Sequence, residues 1–200
     1  MKWILNDFTK SAFSKLLRPF ENSMDDIIKI TRAFSLSAKV HIGQFSKGNK
    51  IEPYINHPLR VALILTEELK TSDIDLICAA LLHDTIEKSN NLTINDQLRK
   101  EAGEHVYTIV YALTRPKTEN EQKEKTQEEY FQNIAKSSKS IRYVKIAERL
   151  DNIRTMKNST HKERVLRYKE ETQKYIIPIA EKTDEKLVFK LSVALYELKK

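Results

Sequence analysis

The chain contains few residues that interrupt helices, with 3 glycines and 5 prolines among 200 residues. Both residue types disfavour helix interiors, so their scarcity favours long helices over turn-rich β structure. Apolar residues recur with helical spacing along most of the chain, and no hairpin signal is present. We therefore predict an all-α, single-domain helical bundle with no sheet. Residues 1–24 are expected to be an N-terminal helical extension and residues 25–200 the main domain.

The extension is predicted to be an amphipathic helix. Ile4, Phe8, Ala12 and Leu16 recur at every fourth residue and form one apolar face, and Pro19 ends the helix. Such a face binds a membrane, a partner or the body of its own domain. We favour the last of these.

The net charge limits the classes of binding partner, and the cysteine content indicates the redox setting. The net charge is +7, which suits a nucleic acid, a membrane surface or a polyanionic small molecule. Aromatic residues do not alternate with Lys and Arg as in a protein that binds single-stranded nucleic acid, so we rank nucleic acid low as a partner.

No apolar run is long enough for a transmembrane segment. The lone Cys78 excludes an internal disulfide and favours a reducing, cytoplasmic setting. A homo-oligomer is left open.

An apolar helix runs directly into two polar side chains in the stretch AALLHDTIEK, residues 79–88. His83 and Asp84 follow the apolar residues, and Glu87 comes four residues after His83, so all three side chains crowd one end of the helix. Burying an imidazole or a carboxylate without a partner is costly. We therefore expect a partner for this pair.

Other segments carry polar side chains of the same kinds. His57 lies in PYINHP, where a loop meets a helix, and acidic, amide and hydroxyl side chains recur on one face of AERLDNIRTM. Two neutral imidazoles with two carboxylates form a mixed nitrogen and oxygen ligand set, which suits Mn²⁺, Fe²⁺, Co²⁺ or Zn²⁺. Spacing places Glu148, Asn152 and Thr155 on one face of a helix, and it places Arg164 and Tyr168 together in the same way.

Each of these features also has a structural interpretation. His57 alone is more often a hydrogen-bonded structural histidine than a ligand, and Glu148 pairs with Arg149 or Lys145 if its helix face is solvated. The His-Asp pair is also able to cap a helix end. Spacing alone leaves both interpretations open.

The segments HIGQFSKGNKIEPYINHP, AALLHDTIEK and KIAERLDNIRTM, in this order, resemble the HD-domain phosphohydrolases. More narrowly, they resemble the alarmone (ppGpp) hydrolases, which are the hydrolase domain of the Rel/Spo proteins and the small stand-alone hydrolases. The match runs from about residue 27 to about residue 180. The resemblance implies an HD-type helical bundle, one divalent metal (Mn²⁺) and removal of the 3′-pyrophosphate of guanosine tetra- or pentaphosphate.

The resemblance also implies roles for residues at the reacting centre. His57, His83 and Asp84 match metal ligands, and Glu148 occupies the position of a further carboxylate ligand. Glu87 matches the first acid of a catalytic pair that serves the attacking water, and Lys88 stands at the second position of that pair. The implied substrate-binding positions are Ser46, Lys47, Asn152, Thr155, Arg164 and Tyr168.

The chain departs from the family pattern at three of these positions. Glu148 replaces an aspartate, and its extra methylene moves the carboxylate by about 1.5 Å. Lys88 replaces an acid, which removes a proton acceptor and adds a cation. Ser46 replaces an arginine, so one bidentate phosphate contact is lost. Two alternatives to alarmone hydrolysis therefore stay open: an HD phosphohydrolase of another nucleotide, and a catalytically weakened protein that binds an alarmone or a partner.

Overall fold

Two compact units, residues 1–114 and 115–200, make up the chain. The computed structural model describes residues 6–46, 49–116 and 123–198. The all-α prediction is confirmed, since helices account for most of the described residues. None of the helices in these residues is both long enough and apolar enough to cross a membrane.

The first unit consists of helices and one short pair of strands. Its elements are α1 (Asp7–Leu17), α2 (Met24–Val40), β1 (Phe45–Ser46), β2 (Asn49–Pro53), α3 (Asn56–Leu63), α4 (Ile74–Leu82), α5 (Thr85–Lys88), α6 (Ile94–Ala102) and α7 (Glu104–Leu113). Gly103 has a φ of 92° and separates α6 from α7, a conformation that glycine adopts without strain.

Helix α4 forms the centre of the first unit. It begins at the N-cap Asp73, whose side chain accepts a hydrogen bond from the Leu76 backbone N–H, and every residue from Leu76 to Leu82 is buried. The helix packs against α2, α3 and α7. Because these neighbours cover all of its sides, α4 holds its last residue firmly, and His83 and Asp84 follow at a fixed place.

The expectation of no sheet is wrong in one small detail. Strands β1 and β2 pair in antiparallel fashion between α2 and α3, with Phe45 opposite Pro53 and Ser46 opposite Asn49. A pair this short contains too few residues for an alternating hydrophobic pattern, so periodicity does not reveal it.

Helix α1 packs on α3 within the first unit. The buried Thr9 hydroxyl donates to the Asn56 side-chain oxygen over 2.6 Å, and the rings of Phe13 and Phe34 stack at 4.1 Å. Phe8, expected on the apolar face, is exposed, and Thr9 takes the buried position beside the other face residues. Ile4 lies outside the described residues. The domain boundary after residue 24 stays a prediction.

The second unit is built around one long helix. Its elements are α8 (Lys123–Lys136), α9 (Lys139–Thr155), α10 (Lys162–Glu171), α11 (Ile177–Glu181) and α12 (Glu185–Glu197). Helix α9 packs against each of the other helices of the unit. It contributes Ile146, Leu150 and Ile153 to the buried core.

The core of the second unit also encloses a guanidinium group. Arg149 on α9 is fully buried, and its Nη2 lies 2.9 Å from the Glu171 carboxylate. Its Nη1 donates to the Tyr168 carbonyl and the Thr172 hydroxyl, and Arg115 approaches Glu171 to 3.7 Å. Burial opposes the charged form of Glu171, but the two arginines outweigh it and lower the pKa of Glu171.

Glu171→Gln is expected to lower the free energy of unfolding by about 3–5 kcal/mol, because it leaves the buried Arg149 charge uncompensated. Since the folded pKa of Glu171 is lowered, its contribution is present above the unfolded value of about 4.3 and is lost as pH falls through the folded value. Urea denaturation at pH 7 and at lower pH measures both effects.

Glu104→Gln is the matched control. Glu104 also pairs with an arginine at 3.0 Å, but this pair with Arg99 is exposed, so its loss is expected to cost at most about 1 kcal/mol. Equal effects of the two variants at pH 7 would contradict a stabilising role for the buried pair.

Candidate functional site

Three side chains of the first unit converge at the end of α4. His57 lies in the first turn of α3, whereas His83 and Asp84 lie between α4 and α5. Each offers one ligand atom, and these atoms all lie within 4.8 Å of one another. The rings of His57 and His83 meet edge to face, with centroids 5.0 Å apart. We call these three residues the triad.

His83 is presented in the form in which histidine binds metals. It is 5% exposed, and its Nδ1 lies 2.8 Å from the Ala80 carbonyl oxygen, which can only accept, so Nδ1 carries the proton. In the neutral ring, Nε2 then has a lone pair. This atom is buried and has no hydrogen-bond partner within the described ranges. A metal-binding imidazole commonly has its second nitrogen bonded to a carbonyl in this way.

Another acceptor lies close to that nitrogen. His83 Nε2 lies 3.5 Å from Asp84 Oδ2. Two lone pairs facing each other repel, and a proton or a metal cation near them relieves the repulsion. The chemistry of the donor set therefore fits a divalent cation held by two imidazoles and a carboxylate.

Asp84 stays ionised in these surroundings. Burial opposes the charge of Asp84, but attraction to His83 and His57 in their protonated forms, together with the Tyr54 hydroxyl, outweighs burial and lowers the pKa of Asp84 well below its usual range. A metal cation held in place of those protons would act in the same direction. The Tyr54 hydroxyl donates a short hydrogen bond to Asp84 Oδ2. A carboxylate in this state can bind a cation.

The helix-capping interpretation accounts for only part of this arrangement. His83 does satisfy a carbonyl oxygen of the last turn of α4. Asp84 occupies the N-cap position of α5, but its side chain makes no capping hydrogen bond in the described part of the chain. Capping therefore does not explain why a carboxylate is placed here.

A set of residues beside the triad was missed in the sequence. His41 ends α2 and is buried, and burial lowers its pKa to about 4. The His41 ring lies 4.8 Å from that of Tyr54, and its Nδ1 lies 3.0 Å from Gln44 Oε1. The one signal in the sequence is proximity, since Tyr54 precedes His57 by three residues in PYINHP.

Glu87 and Lys88 lie on α5, directly after the triad. Both are half-buried, and Lys88 Nζ lies 3.8 Å from Glu87 Oε1 and 5.7 Å from the centre of the Tyr54 ring. A cation therefore stands beside the acid, in the position where the family pattern has a second acid. The catalytic roles of both residues stay predictions.

Glu148 lies on α9 of the second unit, where the structure gives it local partners. The Lys145 ammonium lies 2.9 Å from Glu148 Oε2, and the Asn152 amide donates a short hydrogen bond to Oε1. The pairing with Lys145 agrees with the structural interpretation, but the face is not solvated, because both side chains are largely buried. Arg149, the other expected partner, instead pairs with Glu171. A metal-binding role for Glu148 stays a prediction.

The expected substrate-binding residues are distributed over both units. Ser46 is half-buried in β1, and Lys47 lies outside the described residues. The Thr155 hydroxyl donates to backbone carbonyls of α9. Arg164 and Arg149 lie near the ring of Tyr168, with guanidinium carbons 5.4 Å and 4.6 Å from the ring centre. Their contacts to a nucleotide stay predictions.

The architecture and the site together define a class of protein. A family model described as HD domain matches residues 33–184. The chain belongs to the HD domain family.

Two individual relatives and one solved structure are similar to the chain. The chain is 35% identical over 135 residues to guanosine-3′,5′-bis(diphosphate) 3′-pyrophosphohydrolase MESH1 of Xenopus tropicalis, covering 68% of this chain and 73% of the relative. It is 34% identical over 132 residues to the human MESH1, covering 66% of this chain and 72% of that protein. A solved structure described as a metazoan ortholog of SpoT that hydrolyzes ppGpp is similar with a TM-score of 0.75 and 28% identity, over 84% of this chain and 94% of that one.

Mn²⁺ is expected to raise the thermal unfolding midpoint of the protein. At about a hundred times its dissociation constant, a ligand that binds only the folded state stabilises it by about 2.7 kcal/mol. His83→Ala is expected to abolish this shift, because it removes a triad nitrogen. His105→Ala, at an exposed histidine of α7, serves as the control and should keep the shift. A full shift in His83→Ala would contradict metal binding by the triad.

Proposed function

We propose that the chain removes the 3′-pyrophosphate of guanosine tetra- or pentaphosphate, releasing GDP or GTP and pyrophosphate. The observation that carries the proposal is the convergence of His57, His83 and Asp84, whose ligand atoms lie within 4.8 Å of one another. The triad stands in a chain that is 35% identical to a relative named for this reaction.

The cofactor of this reaction is one divalent cation, and we infer Mn²⁺. His57, His83 and Asp84 would hold it, with Glu148 as a further ligand. The mixed nitrogen and oxygen set also suits Fe²⁺, Co²⁺ and Zn²⁺. The cation supplies, when bound, the Lewis acidity that lowers the pKa of water and polarises a phosphoryl oxygen.

Glu87 and Lys88 act beside the triad in this proposal. The Glu87 carboxylate accepts the proton of the attacking water as a general base. Lys88 and Lys47 offset negative charge on the phosphate oxygens. The support for Lys88 is its half-buried ammonium, which lies against the Tyr54 ring and 3.8 Å from Glu87.

Most residues proposed to bind the nucleotide belong to the second unit. Tyr168 is half-buried, and the Arg164 guanidinium carbon lies 5.4 Å from the centre of its ring. An aromatic ring with an adjacent arginine suits a purine base that carries phosphates, through stacking and charge. The residues proposed to contact the nucleotide are Asn152, Thr155, Arg164 and Tyr168, together with Ser46 at the phosphates.

The net charge and cysteine content agree with such a substrate. A charge of +7 attracts a highly anionic nucleotide over a distance set by ionic strength. Cys78 is buried, and burial raises the pKa of its thiol to about 12, so it is an inert core residue. The single cysteine allows no internal disulfide, and we infer a cytoplasmic setting on this basis.

Release of pyrophosphate from ppGpp is expected to depend on metal. Chelator-treated protein should lose at least about a hundredfold in rate, because several kcal/mol of transition-state stabilisation is removed and about 1.4 kcal/mol corresponds to tenfold. Added Mn²⁺ should restore the rate in the original chain and in His105→Ala, but not in His83→Ala. Equal rates before and after chelation would overturn the metal-dependent mechanism.

A second candidate function, binding without turnover, follows from two contacts. Lys145 engages the Glu148 carboxylate, and Lys88 lies beside the Glu87 carboxylate. Each cation is in a position to occupy an acid that the hydrolase would use. A protein of this kind would bind an alarmone or a partner.

The double variant Lys88→Asp/Glu148→Asp distinguishes the two functions. If the chain only binds, the variant is expected to gain ppGpp hydrolysis that the original chain lacks, because it regains a proton acceptor and a shorter carboxylate ligand. Good turnover by the original chain would eliminate the binding-only function. A panel of other nucleotides, assayed for released phosphate or pyrophosphate, tests whether the pocket accepts a different substrate.

A further inference from the structure

We propose that Tyr54 is a positioning residue that holds both Asp84 and the His57 segment in place for a divalent cation. The inference rests on the metal site of the proposed function. It concerns a side chain that is itself no expected ligand and whose role in the site was not foreseen in the sequence.

Tyr54 is bonded to both parts of the triad. Its hydroxyl donates to Asp84 Oδ2, and its backbone carbonyl accepts the His57 N–H over 2.9 Å. The ring lies edge to face with the His57 ring, at 5.7 Å between centroids. One residue therefore connects the ligand on α3 to the ligand that follows α4.

The hydroxyl bond limits how the carboxylate can turn. A carboxylate has two oxygens with about four lone-pair positions, so one bond to Tyr54 leaves positions free for a cation. A partner that holds a ligand in its binding orientation reduces the entropy lost when the metal binds. The loss of that bond should weaken metal affinity without removing a ligand.

The Tyr54 ring is in turn held by a brace formed by His41 and Gln44. The Gln44 amide nitrogen donates to the Val40 and Lys88 carbonyls, which fixes the amide so that its oxygen faces His41 Nδ1. The Tyr54 N–H donates to the Gln44 carbonyl over 3.0 Å. The brace thus joins the ends of α2 and α5 around the tyrosine.

A purely structural role would give a different result. If Tyr54 only fills space, its hydroxyl is one of many satisfied polar groups, and removal would change stability but not metal affinity. Tyr54→Phe keeps the ring and removes only the hydroxyl, so it separates the two roles.

Calorimetric titration of the metal-free protein with Mn²⁺ tests the proposal. Tyr54→Phe is expected to bind Mn²⁺ about 10–100-fold more weakly than the original chain. Tyr111→Phe, at an exposed tyrosine of α7, is the control and should bind as the original chain does. The urea midpoint of each metal-free variant, measured in parallel, reports whether the fold is retained.

Gln44→Met provides a second variant that keeps the tyrosine hydroxyl and removes the amide contacts of the brace. Its loss of Mn²⁺ affinity is expected to be smaller than that of Tyr54→Phe. A loss of about tenfold or more in Gln44→Met, the lower bound expected for Tyr54→Phe, would show that affinity follows packing. That result would overturn the role of the hydroxyl even if Tyr54→Phe were too unstable to titrate.

The outcomes separate this inference from the proposed function. If the original chain binds Mn²⁺ and Tyr54→Phe binds it within twofold, only the positioning role is wrong. If the original chain itself does not bind Mn²⁺, the proposed metal site and the inference both fail.

Discussion

The repulsion between the buried Nε2 of His83 and the half-buried carboxylate of Asp84, at the end of α4, is the constraint on which the site depends. His83 Nε2 and Asp84 Oδ2 are 3.5 Å apart, and the other ring nitrogen already donates to a carbonyl oxygen. Tyr54 supplies a donor to the carboxylate, but the imidazole nitrogen has no donor among the residues that the structure describes. Because burial makes an unmatched lone pair costly, this end of the helix requires a positive charge. A divalent cation shared with His57 meets that requirement.

The second unit contains a buried charge that, unlike the triad, is paired with other groups of the protein. The Arg149 guanidinium has a carboxylate, a hydroxyl and a carbonyl oxygen as acceptors, so its charge is compensated inside the unit. Because Arg149 is fully buried, it is out of reach of a ligand and acts in folding. The triad, in contrast, contains His83 Nε2, whose lone pair has no hydrogen-bond partner among the described residues. The low polarity of the protein interior makes both arrangements sensitive to the loss of one member, but of the two only the triad offers atoms that can bind a cation.

Much of the fold and part of the site follow from local sequence features. The scarcity of glycine and proline predicts the helices, and Gly103 marks the break between α6 and α7 because it adopts a positive φ. His83 and Asp84 are conspicuous because they end an apolar run. What local features do not reveal is contact between distant segments. The hydrogen bond from Tyr54 to Asp84 spans 30 residues, and the burial of Thr9 in place of Phe8 depends on the side chain that α3 presents to α1. The pairing of Lys145 with Glu148 follows from helical spacing, but its burial does not.

A crystal structure of the Mn²⁺-soaked protein, with anomalous diffraction recorded at the manganese edge, tests the central claim most directly. We expect one strong anomalous peak within bonding distance of a nitrogen of His57, a nitrogen of His83 and an oxygen of Asp84. The contradicting result is an absent peak, with His57 turned away from the other two residues and ordinary hydrogen bonds filling the space between them.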